Sequence, residues 1–328
     1  MTVTRARQWT TRTAARDAAE VGTAAHVRPA RAVGKARRWW EVALPPNPEK
    51  RDAEVFLLLY TPVWMAMAAA VMVTGLAARW GDLELNVFGT VMHLGVLLGL
   101  VYYRPTAGHA TPVGDRYGTK IYLWILLFAY AGNAFCTKYF YEVLGMSYGF
   151  RVATYWNDVP AFLYNVTVAY FGSYYVLVNA ALRLGRRAAR ALAGGSASAR
   201  RAIYAAVYVG ASLATALLET LLNANPFIQD LFCYEHYGFM LWFGTVMYGT
   251  YFALAAWIWL RMAEQPGEQA SWAYVVGSFA CAFALMMLSN EVFKHGLAPY
   301  FVEVWPGRVG LHTVGESCLQ PSSWSLYA

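Results

Sequence analysis

The chain has 328 residues, 58% of them hydrophobic and only 14% charged, with a mean hydropathy of +0.34. That balance excludes an ordinary soluble domain, whose surface needs far more charge for the apolar core it covers. The net charge of +7 is distributed in a way that assigns it to membrane orientation, described below, and implies no nucleic-acid partner.

Residues 1–46 are rich in Arg, Ala and Thr, nearly free of acids, and hold no long apolar run, so they do not form a secretory signal. They read as a solvated cytoplasmic tail near anionic headgroups, with an Arg-rich organelle transit peptide as the alternative. Trp39 and Trp40, followed by Pro45 and Pro46, suit an interfacial anchor ahead of the first span. Apolar runs of about 20 residues, the length that crosses the hydrocarbon core, recur at 55–78, 86–103, 121–144, 161–182, 203–223, 238–260 and 271–288. The second is the shortest. An eighth, re-entrant piece at 296–305 is conceivable but interrupted by Pro299 and Pro306. The expected fold is an all-α polytopic membrane protein, a bundle of about seven transmembrane helices with six to eight as bounds. The membrane domain is expected over 47–300, with a C-terminal tail at 301–328.

Charge orients this bundle. With the N-terminus inside, the tail and the even-numbered loops hold 21 of the 26 Lys and Arg. The opposite side keeps Arg79, Arg151, Lys294 and Arg308, and Lys138 lies within a span. This is the bias of the positive-inside rule. The stretch 185–201, with Gly194-Gly195-Ser196, reads as a flexible basic connector dividing the spans four and three. No internal repeat is visible, which weighs against a transporter built from repeated halves.

Several chemistries are excluded. The six histidines are too dispersed for the clustered boxes of di-iron membrane oxidases. Cys136, Cys233, Cys281 and Cys318 form no CxxC pair and suit buried, reduced thiols. No glycine-rich phosphate loop or dinucleotide fingerprint occurs. No metal and no cofactor are expected, so any catalysis is acid–base.

What remains is polarity at membrane depth. A Lys or an acid deep in a bilayer costs a few kcal/mol, roughly 2.5–3.5 on insertion scales, and usually faces a protein interior. Span three carries Asn133 and Thr137 on one face, and Lys138 and Glu142 on the neighbouring one. Span five carries Glu219 and Thr220, then Asn223 and Asn225; span seven ends in Ser289, Asn290, Glu291 and Lys294. Asn157 and Asp158 precede Pro160 at the start of span four. In this topology all fall in the outer half of the bilayer or at its edge. Structural readings compete: an ion pair for Lys138 with Glu142 or Glu219, and interhelical hydrogen bonds for Asn133 and Thr137. For Glu291 and Lys294 the competing reading is a place just outside the membrane. Tyr248, Tyr251 and Phe252 suit either a pocket wall or lipid contact.

A resemblance rests on residues in order. They include Asn47-Pro48 with Lys50-Arg51, Tyr60-Thr61-Pro62 with Trp64, Asp115-Arg116-Tyr117, and Gly132-Asn133 with Thr137. Val143-Leu144-Gly145, Val159-Pro160, Glu219-Thr220, Arg261-Met262 and Cys318-Leu319-Gln320 continue the series. Each motif is weak alone; together, over residues 47–320, they resemble the cycloeucalenol cycloisomerase family. Asp158 and Ala161 depart from the plant pattern, which has Asn and His there, and this bears on substrate preference. The resemblance implies opening of the 9β,19-cyclopropane of a membrane-dissolved sterol to a Δ8 sterol. A proton goes to C19, the C9–C19 bond breaks, positive charge develops at C9 and the C8 hydrogen is lost. Glu219, the acid most clearly inside a span, is the expected general acid for such a reaction, with Asp158 or Glu142 as partner base. Asn133, Thr137, Lys138 and Asn157 would orient these groups or the substrate, and Tyr148, Tyr248 and Tyr251 would wall the pocket or stabilise the cation. Asp115-Arg116-Tyr117 reads as a loop-fixing cluster on the other side. The expected partners are the sterol and the bilayer. The expected residence is the endoplasmic reticulum in a eukaryote, or the inner or plasma membrane in a bacterium. A Δ8-to-Δ7 sterol isomerase and a non-catalytic sterol transporter or sensor are the alternatives.

Overall fold

The computed structural model describes residues 39–223, 228, 231–234 and 237–304. Among them, seven helices are long and apolar enough to cross a membrane: α1 (Pro48–Val73), α2 (Asp82–Tyr102), α3 (Tyr117–Leu144), α4 (Ala161–Leu192), α5 (Ala197–Asn223), α6 (Met240–Arg261) and α7 (Trp272–Phe301). The protein is an all-α polytopic membrane protein. The basic tail up to residue 38 and the stretch from 305, with Cys318-Leu319-Gln320, lie outside the described residues.

Local chemistry sets the helix ends. Asn47 caps α1 by accepting the Glu49 N–H, and Pro48 occupies the first position, where its missing N–H costs nothing. The helix therefore starts at residue 48, well ahead of the apolar run, and carries Lys50, Asp52 and Glu54 inside, all buried. α3 stops at Gly145, whose left-handed φ of 61° suits a glycine cap. The 185–201 stretch is not a flexible connector. Its Ala- and Arg-rich flanks are strong helix formers, so α4 runs on to Leu192 and α5 begins at Ala197. Nor is there a re-entrant piece at the far end of the described chain. α7 passes through a π turn, Val292–Leu297, into helix Ala298–Val304, with Pro299 tolerated in that segment's first turn.

α4 is the central helix, packed against α1, α2, α3, α5 and α6. Lipid tails are as apolar as Leu, so the spans associate through close packing and buried polar bonds. Gly118 of α3 shows the closeness: a Cβ there would lie 1.8 Å from the Leu100 carbonyl oxygen of α2.

One end of the bundle is tied by a buried charge network. The Arg183 guanidinium meets both Glu54 oxygens at 2.6 and 2.8 Å and both Glu264 oxygens at 2.7 and 2.9 Å. A bond to the Ala43 carbonyl completes its donors. Lys50 pairs with Glu264 at 2.8 Å and donates to the Trp259 and Met262 carbonyls, satisfying the end of α6. Two cations and two carboxylates thus cancel. Nearby, Arg116 donates to the Thr111 and Val101 carbonyls, and Tyr117 bonds Tyr175 through the two hydroxyls.

The other end carries a lid. β1 (Met146–Tyr148) pairs antiparallel with β4 (Phe232–Tyr234), joining the α3–α4 and α5–α6 connections. β2 (Tyr155–Trp156) and β3 (Val159–Pro160) form a hairpin. Cys136 is buried and free and Cys281 exposed and free. Cys233, in β4, is disulfide-bonded, its partner lying outside the described residues. The expectation of reduced, buried thiols holds for Cys136 alone among the described cysteines.

Candidate active site at the lid end

Beneath the β1–β4 ribbon a recess opens among the spans. Its walls are mostly apolar and aromatic, including Phe128, Phe162 and Phe171. Polar groups enter from four elements: Asn133 and Thr137 from α3, Thr167 and Tyr170 from α4, Glu219 from α5, and Tyr248 and Tyr251 from α6. Tyr148 adds a hydroxyl from the lid.

A π turn shapes the α3 wall. Gly132–Cys136 is wound more widely than an α-helix, and Gly132, Asn133 and Cys136 all reach the recess. Such π turns often mark functional positions. Asn133 donates to the Ala129 carbonyl and, at 2.7 Å, to the Thr167 hydroxyl of α4. Its hydrogen bonding is therefore of the helix-joining kind, at a place that also lines the recess.

Glu219 is the only carboxyl among the described lining residues. It is half-buried because it faces the recess. The Tyr248 hydroxyl donates to its Oε2. The buried Tyr174 hydroxyl lies beside it. The Tyr248 ring is held edge-on by Phe140, Tyr251 and Phe252. Tyr251 donates to Asn290 Oδ1 at 2.6 Å, with the Cys136 thiol close by. Asn290 itself is fully buried, and its Nδ2 is unpartnered among the described residues. Burial, and secondarily the Glu219 carboxylate, push the Tyr148 phenol above its ordinary value, so it stays a neutral hydroxyl.

Of the ten residues expected to carry the site, six meet here: Asn133, Thr137, Tyr148, Glu219, Tyr248 and Tyr251. The other four are placed elsewhere. Lys138 and Glu142 share a helix face that turns away from the recess, 3.4 Å apart. Glu142 also takes Lys294 of α7 at 2.6 Å, so it joins two spans. Asn157 and Asp158 are the two central residues of the β2–β3 hairpin, with φ of 51° and 63°. Two-residue hairpin turns of type I′ demand positive φ at both positions, and Asn and Asp tolerate it. The Asn157 side chain donates to the Ala134 carbonyl, and the Asp158 carbonyl accepts from Tyr141. Thr167, Tyr170 and Tyr174 were not anticipated, although their spacing of three and four residues puts them on one face of α4.

Seven spans around an apolar recess tipped by one carboxyl define a polytopic membrane protein with a chemically equipped cavity inside the bilayer. The chain is 30% identical over 260 residues to the cycloeucalenol cycloisomerase of Arabidopsis thaliana, covering 78% of this chain and 89% of that one. It belongs to the cycloeucalenol cycloisomerase family, a family of sterol isomerases. No family model matches the chain. No solved structure matches it either.

Proposed function

We propose that the protein opens the 9β,19-cyclopropane ring of a cyclopropyl sterol to give a Δ8 sterol, with Glu219 as the acid. The observation that carries this reading is Glu219 itself, a lone carboxyl steadied by Tyr248 in an aromatic recess. Tyr248 occupies Oε2, leaving Oε1 to hold the proton that is delivered to C19. As that C–H bond forms, the C9–C19 bond breaks and its electron pair becomes the new bond at C19. C9 is left cationic. The faces of Phe128, Phe171 and Tyr170 supply negative quadrupole density without a nucleophilic lone pair aimed at the carbon. Exclusion of water prevents capture of the cation as an alcohol.

The C8 hydrogen then leaves as a proton and its bonding pair forms the C8–C9 double bond. Because Asp158 and Glu142 lie outside the recess, we assign the acceptor role to the Glu219 carboxylate just formed. One proton is given and one taken back, so the carboxyl ends as it began, as an isomerisation requires. The protonated carboxyl exchanges with solvent between turnovers. Conversion of a cyclopropyl sterol in deuterium oxide should therefore place a single deuterium in the C19 methyl of a Δ8 product, read by mass spectrometry and NMR. Deuterium at C9 with a Δ8 substrate would instead identify a Δ8-to-Δ7 isomerase. Binding without conversion of any cyclopropyl sterol would identify a carrier or sensor.

A further inference from the structure

Beside the recess, a second depression opens on the side of the bundle. α1 and α5 form its walls, with Met65, Ala69 and Met72 on one and Leu221 and Leu222 on the other. Tyr170 of α4 is part of its floor. Among the described residues α1 and α5 each pack against α4 far more than against each other. The alanines of the Ala68-Ala69-Ala70 run keep the α1 wall low. Met65, Ala69, Leu221 and Leu222 are all exposed, on helices long and apolar enough to cross a membrane.

We propose that this groove is the lateral entrance through which an apolar, rigid, bilayer-dissolved ligand reaches Glu219. The proposal rests on the sterol reading above. Four residues, Ala68, Met72, Tyr170 and Asn223, line both the groove and the recess, so the two are continuous. The groove is lined by no charged residue among those described, which suits a hydrocarbon and repels a headgroup. At the end of the bundle the recess lies under the β1–β4 ribbon, and Met146, Tyr148, Phe232 and Tyr234 line it from there. A ligand dissolved in the bilayer core meets the α1–α5 side directly, without crossing water. The threshold is Trp64, packed at a tilt against Tyr170 with ring centroids 4.4 Å apart and anchored by its indole N–H to Ser173.

The test follows loading rather than turnover. The protein in phosphatidylcholine vesicles is mixed with donor vesicles holding a diazirine-bearing cyclopropyl sterol. Samples are flashed at set times, and cross-links to cavity peptides of α3 and α6 are quantified. Ala69→Trp and, from the opposite wall, Leu221→Trp should slow the appearance of cavity cross-links about tenfold, equivalent to a barrier higher by about 1.4 kcal/mol. The final yield should be unchanged, which also shows that the variants fold. Val91→Trp, on the exposed lipid face of α2, should load like the parent. Parental loading rates in both groove variants would overturn the entrance, leave the groove to ordinary lipid and let the sterol reading stand. If the parent protein itself gives no cavity cross-links, the sterol reading falls and the entrance for that ligand falls with it.

Discussion

In the proposed mechanism a single carboxyl, Glu219, carries the proton transfer, and its neighbours make separate demands on it. Glu219→Gln keeps the shape and a hydrogen-bonding partner for Tyr248 but cannot give up a proton of the needed acidity. Turnover should fall by about 10²–10⁴-fold, the range for losing a general acid, while sterol binding persists. Asp158→Asn is the matched contrast. The side chain sits in a hairpin turn whose geometry Asn satisfies equally well, so activity should stay near that of the parent. Rates of purified variants in vesicles, with sterol cross-linking as a control for folding, check both halves. A fully active, folded Glu219→Gln would remove the acid from the scheme.

Among the elements, the contact most exposed to a single change is the buried network joining α1, α4 and the α6–α7 connection. Arg183→Met would leave Glu54 and Glu264 facing each other with Lys50 as the remaining cation of the group. Removing one partner of a buried pair typically costs about 3–5 kcal/mol, because the charge left behind is uncompensated. A large drop in thermal stability in detergent is expected, far beyond that of a surface Arg replacement such as Arg200→Met. The network also sets a pH response. Burial alone would raise the Glu264 carboxyl, but the bonds from Arg183 and the charges of Lys50 and Arg183 outweigh it and hold the group below its ordinary 4.5. Its contribution is thus complete above pH 4.5 and is lost as the pH falls through the depressed folded value. Acid melting curves of the parent should show this loss, and Glu264→Gln should be destabilised at neutral pH and show less of it. A stability of Arg183→Met equal to that of the parent would mean that the network holds nothing together.

For the molecule as a whole, the open matter is which way it lies in the membrane. By the positive-inside rule, the split of basic residues predicts that the network end faces the cytoplasm. Part of the charge bias is structural, however: Lys50, Arg104, Arg116, Lys120 and Arg183 are buried and bonded. In a Cys281→Ala background, Gly195→Cys should react with an impermeant thiol reagent only from the cytoplasmic face, and Gly81→Cys only from the opposite face. Labelling of both from one side would overturn the orientation and the seven-span count with it.

Hydrocarbon length and charge are local properties, so the chain by itself determined the seven spans, the all-helical class and the presence of polar residues at membrane depth. It also marked Glu219, because an acid in the middle of an apolar run is anomalous wherever the run ends up. Which polar residues face one another depends on helix rotation and on turns, and only the tertiary structure decided that. A π turn swung Asn133 and Cys136 into the recess, while two positive φ angles took Asn157 and Asp158 into a hairpin. The ion pair with Lys294 drew Glu142 to the neighbouring span. Thr167 and Tyr170 looked like ordinary span residues until α4 became the centre of the bundle. Lys50 and Glu54 stand ahead of the first apolar run in sequence, and only Arg183 and Glu264, more than a hundred residues away, closed around them in the fold. Spans are written in consecutive residues. A site is written in the meeting of distant ones, which packing alone brings about.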